Sequence, residues 1–234
     1  MPKPSASASR TSAPKVRGDV GPTVADGVFF ADPGPLPRGR HGLTREYVQG
    51  VQRERLLIAT TELLAAHGYR GFGAQEVASR AGVSLAAFYD CFENKDECVF
   101  AGYDRFIGVL LARMAEVDLE GKTQPEIVRD MLGAYLGTLQ SDQVVARAYQ
   151  VEIDALGVAA RERRRGALNL FAEVLRQVMA QTAPSRQLSP TAFIGVVYAA
   201  RQLASDALDT EAEPDLQALG EDLQGWVADL FREA

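Results

Sequence analysis

From about residue 44 onward, apolar side chains recur every three or four positions, the period of helices that each bury one face. Leu56, Ala59, Thr60, Leu63 and Leu64 form the inner stripe of a first helix over 44–67, with Thr44 as its cap and Gly68 as its stop. Two short helices follow, over 74–81 and 85–92. Gly82 ends the first because glycine takes a left-handed backbone without a Cβ clash, and Ser84 is placed to cap the second. Beyond them the period predicts helices over 95–117, 124–141, 143–157, 158–181, 189–209 and 214–233, with Pro190 and Pro214 at helix starts. No alternating strand pattern interrupts them, so the expected class is all-α. Residues 1–42 hold most of the prolines and no sustained period, and are expected to be a disordered basic arm.

Two short helices around a glycine turn are the layout of a helix-turn-helix, whose second helix enters the DNA major groove, although a plain helical hairpin shares the pattern. Charge sharpens the DNA reading. Net charge is −6, yet residues 1–105 carry 13 basic against 12 acidic side chains, whereas 106–234 carry 12 against 19. A neutral contact module on an acidic body fits that division. Cys91, Cys98, His41 and His67 have no zinc-ligand spacing, and acidic neighbours of both cysteines favour packing over redox sensing. No cofactor motif, nucleophile–base pair or metal cluster is legible, so an enzyme is not expected. The opening segment does not read as a signal peptide and no apolar run is long enough for a membrane span, which points to a cytoplasmic protein.

The segments Leu56-Leu57-Ile58-Ala59-Thr60, Gly68-Tyr69, Val77 to Ser84 and Phe88-Tyr89-Asp90-Cys91-Phe92-Glu93-Asn94-Lys95 closely resemble the amino-terminal domain of the tetracycline-repressor (TetR) family. The resemblance covers about residues 43–105, and the lead-in Leu36 to Leu43 is similar to that of an actinobacterial subgroup. It implies a helix-turn-helix domain over 43–95 and a helical regulatory and dimerisation domain over 96–234. It also implies a homodimeric, small-molecule-responsive regulator, in all expectation a repressor, on a palindromic DNA operator. Carried onto this chain, Ser84, Leu85, Ala86, Phe88, Tyr89 and Lys95 would meet DNA, with Arg38, Arg40 and Arg45 reaching along the groove from the arm.

The departures matter. The second helix holds no arginine or lysine and carries Asp90, while Leu85, Ala86 and Ala87 can read thymine methyls but cannot make the bidentate guanine contact of arginine. A rival reading is therefore a family-like protein that has lost DNA reading and acts through protein or ligand contacts.

In the body, Glu152 falls on the apolar face of the helix expected over 143–157, beside Val145, Ala148 and Tyr149. An unpaired buried carboxylate is costly, so it either pairs with an arginine such as Arg201 or anchors a ligand in a pocket. Tyr135, Tyr149, Phe171 and Phe193 are the candidate walls, and core packing explains each as well. The basic run Arg161–Arg165 reads as a solvated face. Apolar and small residues along 189–209 and 214–233 predict an intersubunit four-helix bundle.

Overall fold

The computed structural model describes residues 21–34, 42–181 and 188–231. Within them the fold is all-α, as expected. The head opens with α1 (Arg45–His67), where Thr44 Oγ1 accepts from Tyr47 N at 3.2 Å. Its inner face buries Leu56, Leu57, Ala59 and Leu64. In α2 (Ala74–Ala81), Glu76 Oε2 accepts from Gly73 N at 2.9 Å, the half of a capping box that does not need a side chain on residue 73. Gly82 takes φ 66° and ψ 32°, and Val83 N returns to Ala78 O at 3.0 Å to close the helix. Ser84 Oγ then accepts from Ala87 N at 3.1 Å and starts α3 (Leu85–Cys91). Asn94 Oδ1 accepts from Glu97 N at 2.9 Å at the start of α4 (Lys95–Ala115).

The body comprises α5 (Gln124–Ser141), α6 (Gln143–Gln150), α7 (Val158–Gln181), α8 (Pro190–Thr210) and α9 (Leu216–Phe231). The single helix expected over 143–157 is broken: α6 stops at Gln150 and a 3-10 turn, Glu152–Leu156, replaces its last part. The cause is competition for one carbonyl. Gln150 O, which a continuing α-helix would offer to residue 154, is taken by Arg201 Nη2 and by Ser205 Oγ at 3.0 Å, both from α8.

One apolar core runs from Leu56 and Phe88 in the head through Val99 and Phe106 of α4 to Leu136, Tyr149 and Ala200 in the body. Helix α4 therefore belongs to both parts, and a boundary at residue 95 cuts through shared packing. At the junction, Tyr149 of α6 meets Thr61 of α1 at 2.8 Å. Thr61 gives its own proton to Leu57 O, so the phenol is the donor, and burial holds its pKa far above the ordinary value. The approach needs Gly102 of α4, because a Cβ there would sit 1.9 Å from the phenol oxygen.

The expectation of a structureless arm over 1–42 fails for residues 21–34. Phe29 and Phe30 are each 3 % exposed, and Phe29 stacks on Phe106 with centroids 5.4 Å apart. Two buried phenyl rings supply apolar burial that the Pro/Gly composition of the arm conceals. Arg38 and Arg40 lie outside the described residues.

Candidate nucleic-acid interface and effector cavity

The exposed surface of the head is built around α3. Ser84, Leu85, Ala86, Tyr89 and Asp90 all face solvent, with Tyr89 56 % exposed. Phe88 does not join them: it is fully buried against Phe92 and the edge of Tyr89, so the expectation that it meets DNA is corrected to a core role. Helix α1 orients the end of α3, since Gln49 Nε2 donates to Asp90 O at 2.9 Å and Arg53 donates to Cys91 O at 3.3 Å while lying over the Phe92 ring. Arg45 and Tyr47, in the first turn of α1 ahead of Gln49, are exposed as well, Tyr47 at 54 %. Tyr47 escaped the sequence reading, although its place in the first turn, outside the apolar stripe, could have marked it.

Lys95 is differently engaged from the expectation. Its Nζ donates to Tyr69 O at 2.7 Å and Phe72 O at 2.9 Å and lies 3.8 Å from the centroid of the Tyr69 ring. Two of its three donors thus fasten the loop before α2, and desolvation lowers its pKa. Neither cysteine suits redox sensing. Cys98 is buried against Thr60 Oγ1 at 3.1 Å with its thiol pushed up to about 12, and burial also raises Cys91.

The body encloses a cavity between α4, α5, α6, α7, α8 and α9. Its walls are apolar, with Phe106 and Leu110 from α4, Met131 from α5, Leu168 and Leu175 from α7, and Val196 from α8. Its volume is about 70 Å³, too little for a large ligand without side-chain movement. Polar groups gather at one part of the wall. Gln150 Nε2 donates to Tyr135 Oη at 2.8 Å, and Arg164 and Arg201 both line the space. Asp154 Oδ2 pairs with Arg164 and lies 3.7 Å from Arg201. Its Oδ1 is closed off from solvent and has no hydrogen bond among the described residues, even though the side chain as a whole is 39 % exposed.

Tyr135, Tyr149 and Phe171 line the cavity as expected, whereas Phe193 packs in a second cluster with Val128 and Met179 and is absent from the wall. Glu152 is also elsewhere. The 3-10 turn swings it toward Gly68, where a Cβ would lie 2.9 Å from Glu152 Oε2. It has no ion pair with Arg201, which pairs instead across to Asp154. Desolvation, then Asp209, raises the Glu152 pKa, and Arg147 lowers it. Arg164, assigned to a solvated face, is the group missed; its spacing to Leu168, Phe171 and Leu175 placed it on the inner stripe of α7.

Part of the apolar stripe of α9 is spent within the chain, as Leu216, Leu223 and Val227 are buried. Trp226 of α9 and Tyr198 and Leu203 of α8 stay exposed at 46 %, 41 % and 41 %.

Comparison with known proteins agrees with this anatomy. Residues 56–101 match the family described as bacterial regulatory proteins, tetR family. An uncharacterized HTH-type transcriptional regulator, YerO of Bacillus subtilis, is 31 % identical over 85 residues, covering 36 % of this chain and 29 % of that protein. The chain thus spans less than a third of the length of that curated relative. The fatty acid degradation regulator FadR of Bacillus halodurans superposes with a TM-score of 0.67 at 20 % identity, over 78 % of this chain and 97 % of that one. FadR of Bacillus subtilis, solved with stearoyl-CoA, gives 0.64 at 20 % identity, over 74 % and 96 %. At that identity the two structures speak to the fold. Residues 56–101, with their capped α3, thus match the tetR family of bacterial regulatory proteins, and the chain as a whole shares the fold of the two FadR structures.

Proposed function

We propose that this chain is a DNA-binding transcriptional repressor, acting in the cytoplasm as a homodimer on a palindromic operator and released by an amphiphile bound in the body. The observation that carries the reading is the continuous packing between an exposed, capped α3 and a cavity that combines apolar walls with Arg164 and Arg201. An effector with a long apolar body and a small anionic head suits that lining, because the walls reward chain burial and the arginines reward the head. A fatty acid belongs to this class; the stearoyl-CoA held by FadR of Bacillus subtilis shares the long apolar chain and carries a much larger anionic head.

DNA contact falls to Ser84, Leu85, Ala86, Tyr89, Arg45 and Tyr47, with Arg38 and Arg40 of the arm as further candidates. The helix N-terminus at Ser84 favours a phosphate, and Leu85 and Ala86 favour thymine methyls. Dimerisation through α8 and α9 would cover Tyr198, Leu203 and Trp226 and set two copies of α3 on one DNA face. Selection of binders from a random DNA pool by the full chain tests the reading. The expected product is a palindrome whose binding laurate or an acyl-CoA weakens; a pool without enrichment would refute DNA reading and favour action through protein contacts, for which Asp90 on a helix without basic residues speaks.

A further inference from the structure

Residues 21–34 cross from head to body with an anchor at each side. On the head, Val24 N donates to Glu62 Oε1 at 3.2 Å, and the other oxygen of the same carboxylate accepts from Arg80 Nε of α2 at 2.8 Å. Arg80 also reaches Pro22 O at 3.4 Å. On the body, Ala25 N donates to Asp142 Oδ2 at 2.8 Å, while Asp142 Oδ1 caps α6 through Val145 N at 3.0 Å. Four residues past these adjacent anchors, Phe29 stacks on Phe106, whose ring also lines the effector cavity. Beyond them, Arg55 of α1 holds Gly34 O, and Arg105 of α4 lies over the Phe30 ring.

We infer that this segment is a strap which couples the cavity to the DNA-binding head: movement of Phe106 loosens Phe29 and, through it, the hold of the strap on Glu62 and Arg80. The inference rests on the proposed effector-responsive function and supplies a route for its regulation. Phe106 cannot make room in a close-packed wall without disturbing the ring stacked on its other side. Once Phe29 is displaced, Phe30 beneath Arg105 and Gly34 O on Arg55 still hold the far end, and the strain falls on the stretch before it. Val24 and Ala25 then lose their acceptors together, and Arg80 keeps Glu62 without the backbone contacts that fix it. Two sites biasing one bistable contact give the reciprocal coupling that effector release of DNA requires.

Amide hydrogen exchange on the full chain, without DNA or effector, tests this separately from the functional reading. Phe29→Ala is expected to speed exchange about tenfold or more at Val24 and Ala25 and, more weakly, along Val77 to Ala81 of α2, while the deep amides of α5 stay unchanged. Phe106→Leu should reproduce the effect on α2, and the double variant should add little to either single change, as residues on one path do. Phe171→Leu, a matched change in the cavity wall away from the strap, should leave α2 unmoved. Asp142→Asn is a second probe. Its oxygen keeps the α6 cap while its amide turns a donor toward Ala25 N, so the strap loosens without loss of apolar packing. Unchanged exchange in α2 with either Phe29→Ala or Asp142→Asn would overturn the strap, as would full additivity with Phe106→Leu. Failure to bind any DNA would overturn the proposed function and leave these exchange results standing.

Discussion

Asp154 sits beside two arginines that the proposed effector head would need, so its removal should strengthen anionic ligands selectively. Arg201 Nη2 lies 3.7 Å from Asp154 Oδ2, and Arg164 pairs with the same oxygen. Unit charges at that separation interact by about 4 kcal/mol at an effective dielectric near 20. The Asp154 side chain is 39 % exposed, and solvent screening cuts that figure. A head group freed of this competitor should gain roughly 1.5–3 kcal/mol, or about ten- to a hundredfold in affinity. Displacement of a fluorescent fatty-acid probe by laurate and by dodecanol, in the wild-type chain and in Asp154→Ala, separates charge from chain. Laurate should tighten while dodecanol stays constant, and Arg164→Met should weaken laurate alone. Laurate binding unchanged or weakened in Asp154→Ala would refute the arginine pair as the head site. The substitution also leaves Arg201 with only its contacts to Gln150 O and Gln202, so a stability loss of about 1–3 kcal/mol is expected in urea titration.

Four further outcomes test the head and the junction. Lys95→Met should cost about 2 kcal/mol in urea unfolding, from two charge-assisted hydrogen bonds and a ring contact; stability unchanged with uniformly weaker DNA binding would make Lys95 a phosphate contact instead. Phe88→Ala should destabilise by about 3–5 kcal/mol, whereas Tyr89→Phe should stay within about 0.5 kcal/mol yet weaken operator binding; equal stability losses would erase the distinction between core and surface. Arg45→Ala should lower the slope of log K against log salt by about 0.9 if it neutralises one phosphate. Burial raises the Asp142 pKa in the fold, so the folded chain holds this proton more tightly than the unfolded chain, and the contribution present at low pH is lost as pH rises through the raised value. Wild-type stability relative to Asp142→Asn should therefore fall as pH rises from about 4, the ordinary carboxyl value, and a rise would contradict the sign.

The helix-turn-helix was legible because its signals are local. Gly82, Ser84 and Asn94 act within a few residues of where they stand, and α2 and α3 lie within a residue of expectation. The cavity was half legible. Tyr135, Tyr149 and Phe171 were candidate walls and line it, but Asp154 stands by Arg201 where Glu152 was expected, because α8, about 50 residues further on, captures the Gln150 carbonyl. No periodicity within α6 can report a competitor from another helix. The strap was hidden for the opposite reason: Val28-Phe29-Phe30 is an apolar run set among residues whose composition argues for no structure. The hold of Lys95 on the loop before α2 was illegible because its partners are backbone carbonyls, which carry no residue-specific signal.

The meeting of Tyr149, Thr61 and Gly102 has a mechanical consequence. Sliding α1 along α6 would separate the two hydroxyls and strand polar oxygens in an apolar core, at about 1–3 kcal/mol. Turning about the line between those oxygens keeps this one bond and loads instead the apolar core shared by α1, α4 and α6. The Thr61–Tyr149 pair therefore resists a slide of head on body more than a turn, with Gly102 as the clearance around it. Substituting alanine at position 102 would press on the Tyr149 phenol and jam that joint, which in the proposed dimer would hold the two α3 helices at one spacing whatever the cavity contains.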